Sequence, residues 1–458
     1  MHDSFHPVDN LFAKRIFPEA SEKAANVLAS LLKAAREGHL CINVKENPTL
    51  AEGIALLPPS LFKTFLVFES DCLYLRRNWE CEKKFLENVK RLLRQKPAIE
   101  ISEKWLRGQL EQLPLNQEQK EALLKAATNT LTLISGGPGT GKTYTAAIFI
   151  RCFLQAGGKE VVITAPTGKA AANMKISLGE SAGKCHISTL HSLLKRDKIY
   201  ADLIIVDESS MVDAERMACL LSAIKDGARL VLLGDKEQLP PIESGRFFAD
   251  LATIANTHLV ELKNCLRSDL KEIINVAEQV KRGETISTEI LPDIRELIPQ
   301  IIQKGMQVLT PLRKGKYGFE NLNLLLFKAY EQRGEKEIPI IITKNEPHLD
   351  LCNGDVGKLQ LEEKMAHFSG NRVFKECQLP NYTYAYALSV HKSQGSEYEK
   401  VMLLLPKGSE IFGREMLYTA ITRAKKEIII LADEGVVEQL IKNKDCRYSG
   451  VPFAPFFT

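Results

Sequence analysis

The run Gly136-Gly137-Pro138-Gly139-Thr140-Gly141-Lys142-Thr143 is the densest chemical signal in the chain. Glycines spaced in this way, closed by Lys-Thr, let backbone N–H groups turn toward phosphates at the start of a helix. Lys142 then reaches the outer phosphates, and the Thr143 hydroxyl becomes a ligand for Mg²⁺. An apolar strand, Leu131–Ile134, leads in, and a helical stretch, Tyr144–Leu154, leads out. Further along, Leu203-Ile204-Ile205-Val206 ends in Asp207-Glu208. Two carboxylates at the carboxyl end of a buried strand complete a phosphoryl-transfer site. Asp207 is expected to hold Mg²⁺, and Glu208 to orient and deprotonate the attacking water. The chain contains no Asn-Lys-x-Asp run of the guanine-selecting kind, which favours ATP.

Other strand ends carry polar loops that suit coupling. Gly234-Asp235-Lys236-Glu237-Gln238-Leu239-Pro240-Pro241 follows an apolar run, so Gln238 is placed to sense the γ-phosphate. Thr164–Ala171, with Thr167, follows a second strand, and Thr189 and His191 precede a helical patch. Val390–Glu397 brings His391, Lys392 and Gly395, and Leu417–Ala424 reads as a helix carrying Arg423. Hydroxyls, basic groups and backbone donors of this kind suit a phosphodiester backbone. By residue type alone, Arg267 and Arg423 read equally as ordinary paired arginines, and the Gly234–Pro241 loop as a plain turn.

These loops need a scaffold, and the chain supplies a pattern for one. After about Leu113, β-rich runs alternate with helical stretches in two series. The first is Leu131–Ile134, Val161–Thr164, Leu203–Val206, Leu230–Leu233 and His258–Leu262. The second is Gln307–Thr310, Pro339–Thr343, Tyr384–Val390, Val401–Leu405 and Ile428–Leu431. Such alternation predicts an α/β protein with two tandem parallel-sheet domains. The expected boundaries are 111–262 and 263–458, with a short β insertion near 345–383. Residues 1–110 predict a small, mostly helical domain with a hairpin formed by Thr64–Phe68 and Cys72–Leu75. The 458 residues are too many for one core. A net charge of only +4 makes any nucleic-acid surface local. The 10 cysteines show no Cys-x-x-Cys pair and read as reduced core residues. Neither a membrane span nor a signal pattern is visible, so a cytoplasmic location is expected.

The ordered set of motifs from Leu113 to Gly450 resembles the superfamily 1 DNA helicases, in their RecD-like branch of 5′→3′ polarity. The resemblance implies RecA-like motor domains driven by ATP and Mg²⁺. It makes Gln119, in Leu115-Asn116-Gln117-Glu118-Gln119, an adenine contact and puts Gly395 beside the nucleotide. Arg267 and Arg423 become arginines that reach the γ-phosphate across the cleft. Thr167, Thr189, His191, His391 and Lys392 are assigned to single-stranded DNA. Val308–Gly315, Asn353–Gly357, Arg447–Gly450 and Leu73–Glu82 are similar to the branch that serves exonuclease V complexes. This implies work on DNA ends in recombinational break repair, as a heterotrimer with RecB-like and RecC-like subunits. The nuclease is expected in a partner, and residues 1 to about 110 become a docking module for the RecC-like subunit, with a stabilising cap as the plainer alternative. A stand-alone helicase of the same branch, or an ATPase that remodels protein, remains open at this point. Two departures stand out. Only Lys195–Tyr200 separates Leu194 from the Asp207 strand region, which leaves little room for the family's strand-splitting pin. The β insertion is also short for the family's SH3-like domain.

Overall fold

The computed structural model describes residues 5–45, 48–265, 271–444 and 447–451. Its centre is a six-stranded sheet. In spatial order the strands are Cys185–Thr189, Val161–Ala165, Leu203–Val206, Arg229–Gly234, Leu131–Gly136 and Leu259–Leu262. All neighbours pair in parallel. Every strand therefore delivers its following loop to the same edge. The order has a consequence for chemistry: Arg229–Gly234 lies between the strand of the phosphate loop and the strand of Asp207. The edge strand Cys185–Thr189 was not predicted, because its polar Cys-His-Ile-Ser-Thr run lacks the apolar signature of a central strand.

A second sheet of five strands is parallel throughout: Glu289–Ile290, Ala424–Ala432, Tyr398–Leu405, Gln307–Thr310 and Ala387–Ser389. Here the second predicted series needs correction. Pro339–Thr343 is not a motor strand. Its residues up to Ile342 belong to Glu337–Ile342, which pairs antiparallel with Val356–Gln360 and Tyr382–Tyr384. The expected strand Tyr384–Val390 divides, with Tyr382–Tyr384 in the inserted sheet and Ala387–Ser389 in the motor sheet. The insertion thus spans Glu337–Tyr384 as a five-stranded antiparallel sheet, rather than starting near 345. It has its own core of Ile338, Ile340, Ile342, Leu351, Leu359 and Phe368.

The first hundred residues form helices around a three-stranded antiparallel sheet of Cys41–Asn43, Cys72–Leu75 and Leu66–Glu69. The long helix Arg76–Arg94 leaves this unit and packs on Ala214–Ala223. Phe85, Val89 and Leu92 enter the core of the first motor sheet, and Phe85 stacks on Phe247 at 3.8 Å between ring centroids. Arg91 donates to the carbonyls of Leu221 and Ile224 at 2.8 and 3.1 Å. The helix is therefore part of the motor's packing. Between Leu194 and the Asp207 strand the chain makes only an isolated bridge, Ile199 to Ile224, and no hairpin. Among the described residues no helix is long and apolar enough to cross a membrane.

The chain's last described residues return to this junction. Leu40 N donates to the Tyr448 carbonyl at 2.8 Å, Tyr448 N donates to His39 Nδ1 at 3.0 Å, and the Tyr448 ring stacks on the His39 ring. Ser449 Oγ donates to Asp250 at 2.9 Å, and Gly450 N donates to Glu82 Oε2 at 3.0 Å. Tyr74 Oη donates to Glu82 Oε1 at 3.0 Å. A Cβ on Gly450 would lie 1.8 Å from Tyr74 Oη, so only glycine fits. Burial pushes the Glu82 carboxyl from an ordinary 4.5 up to about 7, against the opposing pull of the Gly450 and Tyr74 bonds. Between those two values the folded state holds a proton that the unfolded chain has released. The favourable contribution is complete below the unfolded value and is lost as pH rises through about 7. Glu82→Gln keeps an acceptor for Gly450 N and offers its NH₂ to Tyr74. Relative to this variant, wild-type stability is expected to fall by about 2 kcal/mol between pH 5 and pH 8. Parallel pH profiles in thermal denaturation would refute the assignment.

Candidate ATP site and cleft between the motor domains

The strand Leu131–Gly136 and the helix Lys142–Gln155 bracket the phosphate loop. Gly141 caps the helix at φ +84°, a conformation that L side chains rarely adopt. The Lys142 ammonium folds back on the loop, donating to the Gly136 and Gly137 carbonyls at 2.6 and 3.0 Å. Thr143 Oγ donates to Asp207 Oδ2 at 3.2 Å, which joins the two predicted halves of the site. Asp207 is buried, and burial first, then the neighbouring Glu208, pushes its carboxyl up to about 6, while Lys142 pulls it down. Glu208 sits at φ +51°, in the left-handed region, and lines the cleft. A non-glycine residue held there is strained by about 1–3 kcal/mol. The hydroxyl of Thr143 and the carboxylate of Asp207 are hard oxygen donors. They fit a Mg²⁺ ion that completes its shell with phosphate oxygens and water.

The cleft has a volume of about 630 Å³. One wall carries Gly139, Lys142, Thr143, Asp207, Glu208 and Gln238, and the other carries Gly395, Glu397, Arg423 and Lys425. Gln238 follows the intervening strand Arg229–Gly234, so it stands between the phosphate loop and the carboxylates. Arg423 lies just past the helix Gly413–Ile421 rather than within it. The residue is 4% exposed. It is held by the Thr419 and Ser396 carbonyls at 3.1 and 3.2 Å and by the Thr422 hydroxyl at 3.3 Å. It makes no ion pair among the described residues. Arg267 lies outside the described residues.

Other predicted positions divide. Gln119 is wholly buried. Its Oε1 accepts from Asn116 N at 3.1 Å, closing a capping box, and its Nε2 donates to the Thr140 carbonyl at 3.4 Å. In this state it pins the phosphate loop. Thr167 and Thr189 cap the short helices that follow adjacent strands, accepting from Ala170 N and Ser192 N. Thr167 Oγ lies 3.8 Å from where a Cβ on Gly395 would stand, so these two meet across the cleft. His191 does not face it. It is exposed on a separate groove with Arg77, Lys84 and Lys195. His391 is half-buried, and burial lowers its pKa, with Arg447 adding to the effect. Lys392 stands at the surface with its ammonium 5.4 Å over the Phe319 ring. Sequence reasoning missed Lys169. Its Nζ crosses the cleft to Ser396 Oγ at 2.7 Å. The residue lay inside a quoted motif, but nothing local marks which lysine crosses.

Residues 114–295 match the AAA domain family model, and residues 384–431 match the UvrD-like helicase C-terminal domain. The RecBCD enzyme subunit RecD of Mycolicibacterium smegmatis is 28% identical, over 97% of this chain and 96% of its own length. The RecD subunit of Haemophilus influenzae is 26% identical, over 84% and 80%. The ATP-dependent RecD2 DNA helicase of Deinococcus radiodurans is 33% identical over 77% of this chain, but over only 54% of its own length. The chain belongs to the RecD-like branch of the superfamily 1 helicases, enzymes that use nucleoside triphosphate.

Proposed function

We propose that this chain is an ATP-driven 5′→3′ translocase on single-stranded DNA and the motor subunit of an exonuclease V-type complex. The observation that carries the motor reading is Arg423. A buried guanidinium with neutral oxygen partners and no carboxylate is costly to keep. It faces Lys142, Thr143 and Asp207 across the cleft. An anion bound on the phosphate loop would supply the missing charge, so the second domain gains by closing. Bound Mg²⁺ would neutralise phosphate charge through Thr143 and Asp207. Glu208 is then the group placed to take a proton from water, and Gln238 the one to orient it. Opening and closing would shift Gly395 against Thr167, which is how the loops at both carboxyl edges would pass a strand along. We assign Arg267 to the same task from the family resemblance.

Complex membership is supported by the relatives: RecBCD enzyme subunits RecD match over 84% and 97% of this chain. Val8, Leu11 and Phe12 form an exposed apolar face on the helix Pro7–Ile16, and Phe65 and Phe68 are also exposed. That surface would suit a RecC-like partner, with a RecB-like subunit supplying nuclease. Because Lys195–Tyr200 makes no hairpin, the pin that splits duplex would come from elsewhere in the assembly.

Single-stranded DNA is expected to stimulate ATP hydrolysis, with affinity falling as salt releases counterions. Hydrolysis indifferent to DNA would sink the motor reading. Lys142→Gln should abolish hydrolysis with an unchanged melting temperature. Arg423→Ala should keep ATP binding but lose about 10³-fold or more in turnover, and loss of binding alone would count against its role. The isolated chain should displace streptavidin from a 3′-biotinylated single strand yet fail to separate duplex. Efficient unwinding by the chain alone would overturn the partner-dependent reading.

A further inference from the structure

The loop after Arg229–Gly234 is tied to the second motor domain through one carboxylate. Asp235 is buried. Its Oδ1 accepts from Glu237 N at 3.1 Å. Its Oδ2 accepts from Gln238 Nε2 at 3.3 Å and from Tyr418 Oη at 2.9 Å. Tyr418 belongs to the helix Gly413–Ile421 of the other domain. Its hydroxyl overhangs the phosphate loop: a Cβ on Gly137 would lie 3.1 Å from Tyr418 Oη. Two further bonds clamp the same loop across the cleft. Leu239 N donates to Thr419 Oγ at 2.8 Å, and Gln394 Nε2 donates to the Leu239 carbonyl at 3.2 Å.

The chemistry of these groups sets a direction. A carboxylate only accepts, so Asp235 must take the NH₂ end of the Gln238 amide. The Gln238 carbonyl is thereby turned the other way. That Oε1 is buried and has no hydrogen-bond partner among the described residues. An orphaned acceptor of this kind is costly unless a donor arrives. Burial, reinforced by Asp235, keeps the Tyr418 hydroxyl protonated and so a donor.

We propose that Tyr418 is a positioning residue for ATP hydrolysis. Through Asp235 it fixes the amide orientation of Gln238, so that the carbonyl oxygen is presented to a water when the domains close. The proposal rests on the reading of Gln238 as the group that orients the attacking water. It makes closure a condition for correct amide orientation, because the tyrosine comes from the domain that moves.

The test is ATP hydrolysis by the full chain at saturating single-stranded DNA, with labelled ATP to resolve residual turnover. Tyr418→Phe should lower kcat by about 10- to 100-fold, the value of one hydrogen bond to a charged group. KM for ATP, affinity for a fluorescent ATP analogue and melting temperature should hold. Asp235→Asn should be at least as damaging, because its NH₂ can capture the Gln238 carbonyl. In a Gln238→Ala background, Tyr418→Phe should add nothing. An unchanged kcat in Tyr418→Phe or in Gln238→Ala would overturn the proposal. So would a Tyr418→Phe loss of equal size in the Gln238→Ala background, or a loss confined to ATP affinity or stability. A wild-type chain whose hydrolysis ignores DNA would instead overturn the motor reading, and the same variants compared in basal hydrolysis would still decide the relay.

Discussion

A buried cation with no ion-pair partner among the described residues governs this molecule. Arg423 is held by two carbonyls and a hydroxyl, which satisfy its donors without neutralising its charge. Across the cleft, Lys142 likewise rests on the carbonyls of its own loop. Both cations are arranged around a space that lacks negative charge of the right shape. Asp207 and Glu208 are close by, but they repel each other enough to contribute to the raised Asp207 pKa. A phosphate chain with a divalent ion would answer both problems: it would pair the arginine and lysine and favour the ionised carboxylates. The rest of the architecture serves to bring these charges to one edge from two different sheets.

The placement follows from strand order more than from any single side chain. Inserting Arg229–Gly234 between the phosphate-loop strand and the Asp207 strand separates loop from carboxylates by one strand. That gap is where the Asp235–Leu239 loop emerges. It is also the loop the second domain grips, through Tyr418, Thr419 and Gln394. Two of the three bonds in that grip, and the charge on Arg423, come from one short stretch, Tyr418–Arg423. Movement of that stretch cannot deliver one without the other.

This bears on what was legible beforehand. The phosphate loop, Asp207-Glu208 and the strand carrying Gln238 are local patterns: glycine spacing, then an apolar run ending in polar residues. They could be read because their neighbours in sequence are also their neighbours in space. Tyr418 could not be read, since its partner Asp235 is far away in the chain and nothing near it signals a cross-domain bond. Gln119 shows a related limit. Its position in Asn116-x-x-Gln119 satisfies a capping box as well as a family motif, and the pattern alone does not tell the two apart. The insertion failed for a different reason. Glu337–Ile342 is β-rich in either sheet, and an apolar run does not reveal whether its neighbour runs parallel or antiparallel.

The N-terminal unit changes meaning once its packing is seen. The helix Arg76–Arg94 gives Phe85, Val89 and Leu92 to the motor core, and the Tyr448–Gly450 segment stitches the same junction through Glu82 and Asp250. A module joined this way cannot swing freely. Its helix Arg76–Arg94 shares one core with the first motor sheet. Whatever binds the exposed face of Val8, Leu11 and Phe12 is then held fixed relative to the phosphate loop and the loops at Thr167 and Thr189. For a motor that makes no hairpin between Leu194 and the Asp207 strand, this matters. A separating element borrowed from a partner would work only if it kept its distance from the moving strand, and an N-terminal unit that docks the partner, as proposed above, would provide that reference through its packing on the first motor sheet.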